Sequence, residues 1–177
     1  MLTPGSMNDK QRELYDVLTK NENPDVSLKN PDGSLVGPFN LMVHEPRLGG
    51  ALQKLGGIIL YRGALTARAR EIAILCVAAH QQSAFERSAH ERIGRSAGLT
   101  DAEMAAIAAK SPLELTDTKE VCVLRVSRAL LEDGDLDDAA YADAVSVLGE
   151  AGMIELSTVI GYYSMVALQL RLFRVPG

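Results

Sequence analysis

The sequence predicts an all-α protein, a single-domain bundle of about eight helices. Three observations carry that expectation. No segment sustains the period-two alternation of a half-buried strand. Alanine and leucine dominate a chain that is 47% hydrophobic but only 5% aromatic, without tryptophan, which suits packed helices. Helix start and stop signals also recur along the chain.

Residues 1–6 resemble an expression leader ahead of Met7 and are left out of the fold prediction. Residues 8–20 read as a short amphipathic helix with Leu14, Val17 and Leu18 on one face. Residues 21–38 are polar and rich in turn formers, including Pro31-Asp32-Gly33, and form a long loop that wraps a neighbour or covers a site. This arm, residues 1–37, precedes a helical domain over residues 38–177.

Residues 39–43 make at least one helical turn, and Pro46 at a first helical position opens a helix to about residue 61. Its apolar positions are Leu48, Ala51, Leu52, Leu55, Ile58 and Ile59, and its two Gly pairs leave it dependent on packing. Thr66 caps a helix over residues 67–79 whose last eight residues are apolar all round, the mark of a central buried helix. Ser83 begins the next helix, which Gly98 ends as a C′ residue. Thr100 and Glu103 form a capping box for a short helix that stops before Pro112. Thr116 caps a helix to about residue 132, Asp137 or Asp138 opens one to Gly149, and residues 153–173 form a long apolar helix.

The net charge of −5 and the absence of a Lys or Arg run exclude a nucleic-acid surface. No apolar stretch reads as long enough to cross a membrane, and no secretory pattern opens the chain, so a cytoplasmic protein is expected. Cys76 and Cys122 lie in apolar helical patterns without a C-x-x-C pair and read as buried thiols.

Chemistry concentrates in residues 71–90. Glu86 and His90 are four apart, so on a helix they share a face and can touch. Glu71 and Ser83 sit near the ends of these elements and can converge on the same place. Each group also has a plainer reading. Ser83 and Glu86 form the S-x-x-E pattern of a capping box. Glu71 favours the positive end of a helix. His90 is either a helix histidine satisfied by Glu86 or a general acid/base. His80 lies in the break, facing the pocket or solvent. Tyr162 and Tyr163 are core residues or pocket lining. Of Arg62, Arg68, Arg70 and Arg87, mostly solvated or paired, one could clamp a carboxylate. His80, Glu86 and His90 lack a recognised ligand motif, so no metal is expected.

The chain resembles the carboxymuconolactone decarboxylase family, within the alkyl hydroperoxidase D-like superfamily. The matching pieces are Gly37-Pro-Phe-Asn40, His44-Glu-Pro-Arg-Leu-Gly49, Leu65-Thr-Ala-Arg-Ala-Arg-Glu-Ile-Ala-Ile-Leu75, Phe85-Glu86-x-x-x-His90, Ala97-Gly-Leu-Thr100 and Glu155-Leu-x-x-x-Ile-Gly-Tyr-Tyr163, covering residue 37 onward. The resemblance implies an all-helical fold assembling as homotrimers or homohexamers, with a pocket beside the central helix pair. In the hydroperoxidase branch the signature runs Glu, C-x-x-C, His. Glu71 and His90 match its relay residues, while Ser83 and Glu86 replace its cysteines, which removes dithiol peroxidase chemistry. In the decarboxylase branch an Arg stands two residues after the Glu. Here Ser88 holds that place and Arg87 lies one residue earlier, turned by about 100° around the helix.

The resulting expectation is a cofactor-free enzyme acting on a small carboxylate or lactone. His90 moves the proton, Glu86 orients it, Glu71 is a second carboxylate or relay, and Ser83 supplies a hydroxyl. His80, Arg87, Tyr162 and Tyr163 line the substrate. The alternatives are a peroxidase-like protein using Cys76 or Cys122, and a non-catalytic oligomeric homologue.

Overall fold

The computed structural model describes residues 1–20 and 28–176. Residues 21–27, the first part of the loop expected to wrap a neighbour or cover a site, lie outside the described residues. By its internal contacts the chain divides into two compact units, Met1–Ile58 and Ile59–Gly177, where the sequence reading places its one boundary after residue 37.

In the first unit, a 3-10 turn at Pro4–Ser6 precedes α1 (Asp9–Thr19), α2 (Gly37–His44) and α3, which starts at Pro46 and runs to Tyr61. Asn8 and Gln11 close a reciprocal capping box on α1. Its buried stripe is Leu14, Tyr15 and Leu18, with Val17 turned to solvent. These residues pack with Leu35, Met42 and Val43 into a small core. The opening residues, set aside in the sequence reading, are tied into it. The Asn40 side chain accepts from Leu2 N at 3.0 Å and donates to Leu2 O at 2.9 Å. Leu48, Leu55 and Ile58 of α3 are exposed, while Gly49, Gly56 and Ile59 are buried, so glycines share its packing face with only part of the expected apolar set. A Cβ at Gly49 would collide with the Met42 backbone.

The second unit is built on α4 (Ala67–Gln81), with α5 (Ala84–Ser96), α6 (Asp101–Ala108), α7 (Thr118–Glu132) and α8 (Asp138–Leu172) packed around it. Every residue of α4 from Ala69 to Ala78 is buried, as the all-round apolar pattern predicts. Ile72, Ile74 and Val77 of α4, Val123 and Val126 of α7, and Leu156 and Val159 of α8 are almost fully enclosed. Each such side chain contributes roughly 1.5–3 kcal/mol of burial. Thr66 caps α4, and Gly98, at φ 96°, closes α5 through Leu99 N to Gly94 O and Gly98 N to Arg95 O bonds. The cap of α7 is Asp117 rather than Thr116, since its carboxylate accepts from both Lys119 N and Glu120 N. Arg68 ties the start of α4 to α7, through Glu120 at 3.0 Å, and to α6, through Glu103.

The two helices expected at residues 137–149 and 153–173 join as α8, kinked at Gly149, whose φ of 71° and ψ of 165° only glycine adopts readily. An 18-residue window of mean hydropathy 1.3 makes α8 long and apolar enough to cross a membrane, by length and composition only. Its buried face, including Leu156, Val159, Val166 and Leu170, packs with α4 and α7 as a core helix does. Glu155 pins its first half to the start of α4 by accepting from Ala64 N and Leu65 N.

Gly49 yields the test of the α2–α3 contact. Gly49→Ala is expected to cost about 1–3 kcal/mol by overpacking. Gly57→Ala meets nothing within 4 Å and should be neutral or gain up to about 1 kcal/mol from helix propensity. Urea midpoints of the two variants check this, and equal midpoints would refute the close approach.

Candidate active site

The site is assembled by the sharp junction between α4 and α5. Gln82 adopts the left-handed conformation at φ 53° and ends α4 through its N–H to Ala78 O and Ala79 O. Ser83 follows in an extended conformation, and its hydroxyl accepts from Glu86 N at 3.4 Å. Two residues therefore reverse the chain, and the buried face of α5, Glu86, His90 and Gly94, is laid on α4. The capping is one-sided. The carboxylate of Glu86 does not close a box but lies beside His90, with Oε2 3.5 Å from Nε2. That distance is long for a hydrogen bond of full strength.

The tighter partner of His90 is Glu71, 19 residues back on α4, whose Oε2 lies 2.7 Å from Nδ1. Glu71 is fully buried, Glu86 is 3% exposed and His90 6%. Tyr163 of α8 presents itself edge-on to the imidazole, centroid to centroid 4.9 Å and interplanar angle 88°. Tyr162 packs on Tyr163 in the same manner at 5.2 Å and 80°. One ring nitrogen thus faces each carboxylate. An ionised Glu71 only accepts, so Nδ1 carries the hydrogen toward it and Nε2 is left to exchange a proton.

Burial pushes the carboxyl of Glu86 above its ordinary value of 4.5. The Glu71 charge pushes the same way, and attraction to His90 opposes it. Tyr162 is pushed up to about 12, and Tyr163 is pushed up further, chiefly by burial with the Glu86 charge adding to it. Two carboxylates this close in a buried site are costly if both are charged. Keeping Glu86 protonated relieves the repulsion. Glu71 Oε1 remains buried without a hydrogen-bond partner.

The structure therefore brings Glu71, Glu86, His90 and Tyr163 together, with Tyr162 behind them. Ser83 acts there as a cap. Arg87 points away, exposed and paired with Glu91 at 2.7 Å. His80 is not in the break but in the last turn of α4. It lines a water-sized cavity of about 10 Å³ with Cys76, Ile107, Lys110 and Arg128. Cys76 and Cys122 are buried, and burial lifts the Cys76 thiol to about 12. Among the described residues no three His, Cys, Asp or Glu side chains form a metal-holding group. Glu71 and Glu86 sit at opposite edges of the imidazole and do not converge on one point. The contact least visible to residue spacing is Glu71–His90, since no local periodicity links positions that far apart.

The helical fold is shared with solved structures of AhpD-like proteins. One is the alkylhydroperoxidase AhpD core of an uncharacterised peroxidase-related protein from Ralstonia eutropha JMP134. It has TM-score 0.73 and 14% identity, covering 97% of this chain and 88% of that one. Another is a protein of unknown function from Agrobacterium tumefaciens, suggested to be an antioxidant defence protein AhpD. It has TM-score 0.66 and 15% identity, covering 77% of this chain and 94% of that one. At such identities the likeness is one of fold. No curated relative matches the chain. The carboxymuconolactone decarboxylase family model matches residues 46–128, from the start of α3 into α7 and across the whole α4–α5 junction. Over residues 46–128 the chain is thus similar to the carboxymuconolactone decarboxylase family, and its fold is that of the AhpD-like structures.

Glu86 makes a pH test possible. Its folded value is raised above 4.5, so the folded chain holds a proton that the unfolded chain releases. That contribution to stability is intact below pH 4.5 and is lost as pH rises through the folded value. Glu86→Gln removes it, so the variant should gain on the parent steadily as pH climbs above 4.5. Urea midpoints that run parallel in the two proteins across this range would contradict the raised value.

Proposed function

We propose that this chain is a carboxymuconolactone decarboxylase-like enzyme that works by acid/base chemistry, without a cofactor, on a small organic acid or lactone. The observation that supports this best is the buried relay Glu71–His90–Glu86, with a 2.7 Å bond on one side of the imidazole and a carboxyl held toward its protonated form on the other. In a decarboxylation the bond to the leaving carboxylate breaks, CO₂ departs, and the electron pair stays behind as an enolate-like anion. His90 protonates the carbon through Nε2, Glu71 stabilises the imidazolium, and Glu86 resupplies the proton. Ser83 contributes by position, because its cap fixes the first turn that carries Glu86. The phenol of Tyr163, beside the ring, stays protonated and is available as a donor to developing charge.

A thiol peroxidase reading asks for a thiolate. A buried Cys76 with a thiol raised to about 12 weighs against it. The proposal includes self-association as a homotrimer or homohexamer. The exposed apolar residues Ile154, Leu168, Leu172 and Phe173 along α8 and at its end support it. Light scattering on the purified protein reads the assembly.

The test is turnover of lactones and unsaturated dicarboxylic acids followed by mass spectrometry. CO₂ release is expected, and His90→Ala should lower kcat by about 100-fold or more with the helical circular dichroism retained. Glu71→Gln should lower kcat more than it changes KM. Undiminished turnover in folded His90→Ala would sink the assignment.

A further inference from the structure

α3 is apolar on two sides, and its own unit uses only one of them. Gly49 and Gly56 lie on the inner side. Over residues 46–58, the part of α3 within the first unit, the exposed residues are Arg47, Leu48, Ala51, Lys54, Leu55 and Ile58. Leu48, Ala51, Leu55 and Ile58 follow at steps of three and four, the spacing of a helix–helix seam. Leu48 is 54% exposed and Ile58 44%. α3 contains no acid, and among the described residues neither Arg47 nor Lys54 has an ion pair. The same surface continues past Arg47 into a groove of about 580 Å³ between α1 and the start of α3. There Lys10 and Arg47 stand beside Leu14, Val17 and Pro46, with Glu13 as the single acid.

The chain itself holds the complement of this surface. Between Arg128 and Arg171 there is no Lys or Arg, and the stretch opens with exposed acids at 132, 133, 135, 137 and 138. Glu132 faces Lys110, and Asp137 caps α8. Among the described residues Asp133, Asp135 and Asp138 have no ion pair. One turn along α8 from Asp138, Tyr141 is half-exposed beside the exposed Ala142. One surface is thus basic and apolar, the other acidic and apolar. Pairing two α3 faces would set Arg47 and Lys54 against like charges. The net charge of −5 likewise opposes a polyanion at α3.

We infer that two copies of this chain meet head to tail, with the basic, apolar face of α3 in one copy against the acidic start of α8 in the other. The inference rests on the self-association included in the proposed function and names the surfaces that make it. Two different patches meet, so the contact is heterologous, the kind that builds rings when its rotation closes. Leu48, Leu55 and Ile58 supply apolar area to Tyr141 and Ala142. The opposite charges select the partner surface and its register rather than adding most of the affinity.

The test is sedimentation velocity of the full chain over a range of concentrations. Four proteins are compared: the parent, Arg47→Glu with Lys54→Glu, Asp135→Lys with Asp138→Lys, and the chain carrying all four changes. Every site is exposed, so helical circular dichroism should be retained throughout. The parent should sediment as an oligomer. Each pair of changes should weaken association by about 10-fold or more. The fourfold chain, in which both surfaces have exchanged sign, should regain it. Lys54→Glu alone, the mildest change, should weaken association to a smaller degree and stands in for its pair if that pair does not fold. An oligomeric parent that neither pair alters, a loss confined to one pair, or a fourfold chain as weak as the pairs would each overturn the inference and leave self-association standing. A parent that is monomeric at every concentration would overturn both.

Discussion

The bond between Glu71 and His90 is the constraint on which the second unit depends. A carboxylate with no exposed surface sits in the middle of the most buried helix. Left unpaired there it would cost several kcal/mol, comparable with the net stability of a whole domain. It is tolerated because α5 returns a histidine to within 2.7 Å. That return demands a junction of only two residues, which in turn demands the left-handed Gln82 and the extended, capping Ser83. The local backbone, the cap and the buried pair are one arrangement, and none of its parts is explained without the others.

The core around this pair, within the second unit, is ordinary packing, and it serves to hold α4 still. Glu155 clamps α8 to the start of α4, and Arg68 fastens α6 and α7 to the same end. These polar clasps sit at the rim, where water partly screens them and their energetic value is modest. Their effect is on register. They set the level at which Tyr163 meets His90.

Much of this was legible in residue patterns. The all-round apolar run of α4, the caps at Thr66, Ser83, Thr100 and Asp137, and the C′ glycine at position 98 follow from local chemistry and stand as read. The spacing of Glu86 and His90 likewise put them on one face. What local patterns do not carry is long-range pairing. Residue placement brought Glu71 to the same place only in general terms and spacing made Glu86 the orienting partner, whereas the geometry sets Glu71 closer to His90 than Glu86. Arg87 was singled out for its place within the motif, whereas one residue of rotation turns it to solvent. In α3 Gly49 is buried while Leu48 and Leu55 are exposed, because its close approach to α2 is decided by backbone sterics rather than hydrophobicity.

The two positions at which the resembling hydroperoxidase signature carries cysteines hold Ser83 and Glu86, and physical chemistry decides what that exchange does. Both positions lie at the start of a helix, where the backbone dipole favours negative charge and would lower an acid's pKa. For Glu86 burial acts in the opposite direction. With Glu86 almost wholly enclosed and a second carboxylate across the imidazole, burial prevails and the group is driven toward its neutral form. A thiol at a helix start is poised to lose its proton. A carboxyl enclosed in this way is poised to keep one, and it stands beside a histidine nitrogen able to take it.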